Sequence, residues 1–301
     1  MHRSHMLHRS ACKNRGGAGW WSLSCGGSWW RPQRFNPDGS LLKFNYILSE
    51  STITYVPGVQ VYIFDLDIAA DTIPVLRQKN STIRTICYFS TQYEEWRADA
   101  SQFKASDLGK PLDGWPGERW VDIRSANIRT IMRNRLARAK AAGCDGVDPD
   151  NTDGYAVSTG FPLTASDALA FLTFLSTEAH AAGLGIGLKN SLSLINVSSQ
   201  ALWDWAINEQ CWYYNECRYY RPFDAIKPIF GVEYCDETPL DPGCFCARAN
   251  ATGYDFLLKR LSLGNAGITC AQYCRKYVCA AAATCPSVAA NCGKVPAAPL
   301  I

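Results

Sequence analysis

Acidic side chains gather in this sequence in a way that histidines do not. The segment GCDGVDPDNTD carries Asp148, Asp150 and Asp153, NEQC carries Glu209, GVEY carries Glu233, and FDLD carries Asp65 and Asp67. Of the four histidines in 301 residues, His2, His5 and His8 lie in a leading segment, which leaves His180 alone for the body of the chain. Any Ser-His-Asp or Cys-His device would have to use that one residue, and a histidine-rich zinc site has too few ligands. His180 stands in TEAHAAGL at an apparent helix end, where an imidazolium suits the last carbonyls. The titratable groups best suited to catalysis are therefore carboxylates. Converging in a cleft, carboxylates push one another's pKa values apart, so one stays ionised while another keeps a proton. Cleavage of a glycosidic bond needs that division: one acid protonates the leaving oxygen, and the other attacks the anomeric carbon or activates water. The competing use of these acids is structural, in ion pairs with Lys189, Arg124 or Arg129 or as helix caps. Magnesium or calcium on Asp148, Asp150 and Asp153 is a further possibility. DPDNTD, however, lacks the Gly at the sixth and the Glu at the twelfth position of a calcium loop, and no metal or other cofactor is expected.

The elements that must position these acids alternate. Short β-rich runs at 42–48, 59–67, 83–90, 143–151, 184–190, 205–211, 227–234 and 267–273 are separated by segments of helical periodicity. In ANIRTIMRNRLARAKAAG (126–143), Ile128, Ile131, Met132, Leu136 and Ala139 share a face and the Arg and Lys residues cover the other. ASDALAFLTFLSTEAHAAG (165–183) behaves likewise, opened by Thr164 or Ser166 and closed by Gly183. Strand-helix alternation implies a parallel sheet, and eight repeats imply an α/β fold closed as a (β/α)8 TIM barrel, with its chemistry at the carboxyl ends of the strands. The acids above sit at such ends. A long excursion, 91–125, follows the third strand. Its Trp96, Trp115 and Trp120 are expected to anchor it to the core rather than to stack on sugars.

Composition sets the surroundings. The chain is 47% hydrophobic and 19% charged with a net charge of +3, and its basic residues are spread along the body, so it is globular and has no nucleic-acid footprint. Apolar stretches stop short of a membrane span. Fourteen cysteines, eight of them between Cys235 and Cys292, read as disulfides in an oxidising compartment. Zinc on Cys270, Cys274 and Cys279, or on Cys244 and Cys246, is the weaker reading for want of a repeated CxxC pair. Cys211 and Cys217 flank WYYNE and can close a short loop. Sequons at Asn80, Asn196 and Asn250 are compatible with secretion. The amino terminus shows no apolar run of the signal-peptide kind, so an extracellular location is expected although the export signal is not visible in this chain. The domain plan is an irregular extension at 1–39, a barrel at 40–275 and a Cys-, Ala- and Pro-rich tail at 276–301.

ICYFSTQYEEWR (86–97), GWPGERWVDIRS (114–125), CDGVDPDNTDGY (144–155), TGFPLT (159–164), AHAAGLGIGLKN (179–190), NEQC (208–211) and KPIFGVEY (227–234) together resemble glycoside hydrolase family 114, the endo-α-1,4-polygalactosaminidase and spherulin-4-like family. The resemblance implies a barrel that cleaves α-1,4-linked galactosamine inside a secreted polysaccharide by a retaining route, acting as a monomer. It makes Asp150 the nucleophile and Glu209 the acid/base. Asp148, Asp153, Lys189, Asn190 and Glu233 would line the subsite, with Tyr88 and Asp65 beside them. A groove rich in acids would attract such a polycation despite the positive net charge. The first strand and the first 35 residues depart from the family pattern, as does the chain after Cys274. A non-catalytic barrel that holds polysaccharide without cutting it is the alternative.

Overall fold

The structure is a computed structural model that describes residues 28–196, 199–223, 227–237, 245, 246, 249 and 254–270. The Cys-rich tail, Cys244, Cys274, Cys279 and the Asn250 sequon lie outside the described residues.

The strand runs form one curled sheet. Its parallel members are β1 (Phe44–Ile47), β2 (Val61–Asp65), β3 (Arg84–Ser90), β7 (Gly146–Asp150), β8 (Gly185–Lys189), β9 (Trp205–Glu209), β10 (Ile229–Tyr234) and β11 (Asp255–Lys259), hydrogen-bonded in that order. The gap in the numbering is the excursion, which folds into a separate antiparallel sheet of β4 (Tyr93–Glu94), β5 (Leu108–Pro111) and β6 (Glu118–Val121) in the order β4-β6-β5. The expected eighth strand at 267–273 is corrected. Among the described residues of that run only Ile268–Thr269 is extended, as β12, and it runs antiparallel to β11, which occupies the eighth parallel position. The two outer parallel strands meet without a ladder: Leu48 donates its N–H to Leu263 O at 2.9 Å, and buried Lys259 reaches across to Asn45 Oδ1 at 3.1 Å.

Side chains alternate across each strand, and this parity decides what enters the barrel. Phe44, Tyr46, Val61, Ile63, Ile86, Trp205, Ile207, Phe230, Val232, Tyr234 and Leu257 form the inner cluster. A single indole fills much of the floor. A Cβ on Gly146, Gly185 or Gly187 would stand 2.3, 2.7 or 2.2 Å from an atom of Trp205, so β7 and β8 can pass it only with glycine there. Burying an aromatic of this size removes roughly 200 Å² from water, a gross gain of about 5 kcal/mol before the entropy of ordering it. Trp30 packs beneath it, its ring centroid 5.5 Å from that of Trp205.

Among the described residues three connections carry α-helices, α1 (Ala69–Lys79), α2 (Ala126–Ala142) and α3 (Ala165–Ala181). Ser125 caps α2 and Gly143 ends it at φ 89°, a left-handed turn that glycine makes without strain. Thr164 and Asp167 form a reciprocal capping box on α3. The apolar face of α2 is buried as expected, but it also takes in Arg135, 1% exposed and paired through Nε and Nη2 with Asp99 at 2.7 and 2.8 Å. His180 stands in the last turn of α3 as expected, but its partner is not a terminal carbonyl. Its Nε2 lies 2.9 Å from Asp204 Oδ2 and its ring stacks on Trp29 at 4.0 Å. Disulfides join Cys87 to Cys144, Cys211 to Cys217 and Cys246 to Cys270, which removes Cys246 and Cys270 from the zinc reading. No helix among the described residues is long and apolar enough to cross a membrane, and among them no group of three or more His, Cys, Asp or Glu side chains is placed to hold a metal ion.

Candidate active site

Three neighbouring strands end in the same way. β7 closes on Asp150-Asn151, β8 on Lys189-Asn190 and β9 on Glu209-Gln210, and in each the amide residue takes a left-handed backbone, φ 57°, 47° and 64°. The turn reverses the chain at once and leaves the preceding charged residue inward at the rim. Asparagine tolerates this conformation better than most side chains, and such outliers gather where a site over-determines the backbone.

Lys189 stands at the centre of the constellation. It is 1% exposed, and its Nζ lies 3.0 Å from Asp150 Oδ2, 3.2 Å from Glu209 Oε2 and 2.9 Å from the Tyr46 hydroxyl. Burial works against its charge, but Asp150, Glu209 and Asp148 more than restore it and hold the ammonium well above the ordinary lysine range. Asp150 accepts a second bond from the Tyr88 hydroxyl at 3.0 Å and a third from the N–H of Asn151 at 2.7 Å. Glu209 accepts from Asn190 Nδ2 at 3.1 Å and from the Tyr234 hydroxyl, while Asn190 Oδ1 takes the N–H of Glu209 at 3.0 Å. Each acid is thus fixed by a phenol, an amide and the shared ammonium. Two oxygens that both touch one nitrogen stand closer together than the roughly 6.5–9.5 Å spacing that admits a water between the acids of an inverting pair.

Asp148 lies one pleat below Asp150. It is fully buried, with Oδ2 3.5 Å from Tyr46 Oη and no hydrogen-bond partner for Oδ1 among the described residues. Burial pushes its carboxyl up to about 7, Asp150 and Glu209 adding to the rise and Lys189 opposing it. Tyr46, Tyr88 and Tyr234 are held well above the ordinary phenol range, first by burial and then by the neighbouring carboxylates, so all three are hydrogen-bond donors at working pH.

Tyr88, Asp150, Lys189, Asn190, Glu209 and Tyr234 line a cleft of about 270 Å³ together with Trp115, Glu118, Asn151, Thr152, Asp153, Gln210, Leu261 and Leu263, while Asp148 and Tyr46 lie beneath it. Burial, and then the charge of Asp150, raises the Asp153 carboxyl. Of the residues singled out in the sequence, the fold brings together Asp150, Glu209, Asp148, Asp153, Lys189, Asn190 and Tyr88. Two are elsewhere. Asp65 is held by Arg97, Oδ1 at 2.7 Å and Oδ2 at 2.6 Å, in a pairing that ties the excursion to β2. Glu233 has the opposite parity to Val232 and Tyr234 and so leaves the barrel interior. It accepts the N–H of Trp212 at 2.8 Å and braces the loop closed by Cys211 and Cys217. The anchoring role expected of Trp96 and Trp115 is also corrected: they are 57% and 53% exposed, and Trp115 stands on the cleft wall, whereas Trp120 is half-buried against Gly154. Tyr46, Tyr234 and Glu118 were not singled out in the sequence. Strand parity marks the two phenols, since each lies two residues along from another inward side chain, Phe44 or Val232.

A second hollow, larger at about 590 Å³, lies at the other end of the barrel among Trp30, Arg31, Arg34, Phe35 and Arg84. It contains none of these acids.

The match to the model of glycoside-hydrolase family GH114 runs over residues 24–276. The chain belongs to that family. It is a glycoside hydrolase, and the family's reach back to residue 24 takes in Trp29 and Trp30. The crystal structure of Aspergillus fumigatus Ega3 in complex with galactosamine is 38% identical to this GH114 chain, covers 80% of it and 98% of Ega3, and superposes with a TM-score of 0.71. The glycoside hydrolase domain of PelA from Pseudomonas aeruginosa, 14% identical over 75% of this chain and 97% of its own, shares the fold with a TM-score of 0.58. No curated protein matches the chain.

Proposed function

We propose that this enzyme cleaves galactosamine-containing polysaccharide internally, at α-1,4 linkages and with retention, acting outside the cell as a monomer. The observation that carries the mechanism is the pair Asp150 and Glu209 sharing the Lys189 ammonium at 3.0 and 3.2 Å. The substrate reading is supported by Ega3, whose crystal structure holds galactosamine. The disulfides among the described residues and the acid-rich cleft agree with an extracellular enzyme acting on a polycation.

Asp150, held in place by Lys189 and Tyr88, attacks C1 of the sugar. Glu209, acting as the acid, gives a proton to the departing glycosidic oxygen. The C1–O bond breaks, a covalent glycosyl ester forms on Asp150, and the shortened chain leaves as an alcohol. Glu209, now a carboxylate, takes a proton from water, whose oxygen attacks C1 and frees Asp150. Lys189 offsets the negative charge of the three acids throughout, and Asn190 and Tyr234 hold Glu209 in place between the two steps.

Asp150→Asn and Glu209→Gln are each expected to lower the release of reducing ends from polygalactosamine by at least about 10³-fold while circular dichroism and melting temperature stay near those of the parent. Full turnover by either variant overturns the assignment. Proton NMR of the first-formed product distinguishes the stereochemistry, α for retention and β for inversion. A barrel that merely holds the polymer would bind it and release no ends.

A further inference from the structure

Of the three sequons, Asn80-Ser81-Thr82 lies wholly among the described residues, and the other two fall partly or wholly outside them. It forms the turn between α1 and β3, at the amino end of the strands and so at the opposite end of the barrel from Asp150, Lys189 and Glu209. Asn80 leaves the helix in extended backbone, its N–H closing the last turn on Leu76 O at 3.1 Å. Its side chain then folds over the residues that follow. Oδ1 accepts the N–H of Thr82 at 3.0 Å and the Thr82 hydroxyl at 2.8 Å. With the oxygen fixed in this way, Nδ2 has no partner among the described residues, and Ser81 and Thr82 are exposed. The turn thus offers an acceptor nitrogen that no protein group claims, on a surface where a bulky adduct leaves the acid-lined cleft clear.

The same turn belongs to the wall of the larger hollow. Thr82 and Arg84 line its volume of about 590 Å³ together with Trp30, Phe35, Leu42 and Gln60. The polar groups there are already engaged. Arg84 pairs with Asp145 at 2.8 Å, Asn36 and Gln60 exchange bonds of 3.1 and 2.8 Å, and Arg31 and Arg34 lie over the rings of Trp29 and Phe35 at 3.9 and 5.1 Å. An anion would have to break these contacts to enter. What remains open is aromatic, with Phe35 46% exposed, and it suits the C–H face of a neutral sugar ring. The space falls within the roughly 300–1,000 Å³ of small-ligand sites. On this ground, and resting on the extracellular reading above, we propose that Asn80 carries an N-linked glycan whose first N-acetylglucosamine settles in the basal hollow against Phe35. In the transfer, Nδ2 bonds to C1 of that sugar, the bond from C1 to the diphosphate of a lipid-linked oligosaccharide donor breaks, the lipid diphosphate leaves, and the amide gives one proton to the transferase. The sugar then bridges the turn after α1 and the segment 30–37.

The test secretes the full chain from a yeast behind an added leader. Peptide masses before and after enzymatic release of N-glycans in heavy-oxygen water are expected to show a glycan on Asn80, converted to labelled Asp on release. Thr82→Ala abolishes it and Thr82→Ser retains it. Trimming to a single N-acetylglucosamine should leave the melting temperature at that of the untrimmed protein, whereas Asn80→Gln and Thr82→Ala each lower it by roughly 2 °C. Phe35→Ala is expected to lower it by a similar amount in the glycosylated protein and to have little effect in Asn80→Gln, since the ring then has no sugar to meet. Secreted protein with a bare Asn80 overturns the proposal, as does a Phe35→Ala shift of equal size in both backgrounds, and either result leaves the extracellular reading standing. Protein retained inside the cell with no glycan at any sequon overturns both.

Discussion

Arg97 and Lys189 are both buried, and each stands among three carboxylates near the barrel mouth. Around Arg97 the charges are used up. Its guanidinium grips Asp65 through both terminal nitrogens, Glu94 through Nε and Nη2, and Asp67 at 3.0 Å, while Arg135 pairs with Asp99 and Arg138 with Asp67. Planar, multidentate cations nearly match the acids in number, and the result is a strut that holds the excursion against α2 and β2. Around Lys189 a single compact ammonium serves Asp148, Asp150 and Glu209, and the excess of negative charge faces a cleft. Saturated pairing builds scaffold, whereas a deficit of cations leaves groups whose protonation a substrate can change.

The strongest test of the contrast is on the scaffold side. Arg135→Met leaves Asp99 buried without its partner and is expected to cost about 3–5 kcal/mol, read as a lowered urea midpoint or a loss of soluble protein. Lys189→Met should behave otherwise. The cleft admits water and Asp148 can take up a proton, so the protein stays folded while kcat falls on the order of 10²–10³-fold, as for removal of one preorganised electrostatic partner. Unfolding of Lys189→Met to the same extent as Arg135→Met would erase the distinction. Glu233 sharpens it from a third side, being an acid that no cation among the described residues serves. Burial raises it from the ordinary 4.5 to about 8, against the backbone N–H groups of Trp212 and Tyr213. The native state therefore binds the extra proton between those values, and the protein loses stability as pH rises from about 4.5 to 8 and no more beyond it. Glu233→Gln removes this titration, so its melting temperature relative to the parent should climb across that window. The climb is expected to be at least roughly 2–4 °C, about 1 kcal/mol in a protein of this size, while the burial of the new amide shifts the difference equally at every pH. A pH-independent difference would place the proton elsewhere.

What the residues disclosed in advance followed from local pattern. Alternating strand and helix signals placed seven parallel strands, and the acids at their ends were found because a barrel exposes its chemistry there. Errors arose where distant contacts decide. DFLLK at 255–259 has neither clean alternation nor a preceding helical repeat to announce it, and the apolar run GITCAQY gives the stronger strand signal. Asp65 keeps inward parity but meets Arg97, a residue 32 positions away on a segment whose fold no periodicity foretells. Glu233 was assigned to the cleft by motif, although counting by twos from Val232 would have turned it outward. Glu118 was invisible because β6 belongs to the excursion, where the antiparallel sheet, not the barrel, aims the side chains. Arg135 lay on a helix face counted as polar, and the Asp99 carboxylate together with the Ser90 carbonyl makes its burial tolerable.

The indole of Trp205, wedged between strands that have given up three side chains to admit it, closes the barrel from below. Engineering that seeks room for a bulkier sugar cannot dig downward there without re-casting four positions on three strands together. Latitude for new specificity therefore resides overhead, in the small antiparallel canopy and the cystine-clipped loop opposite it, which can be exchanged one at a time without disturbing the floor.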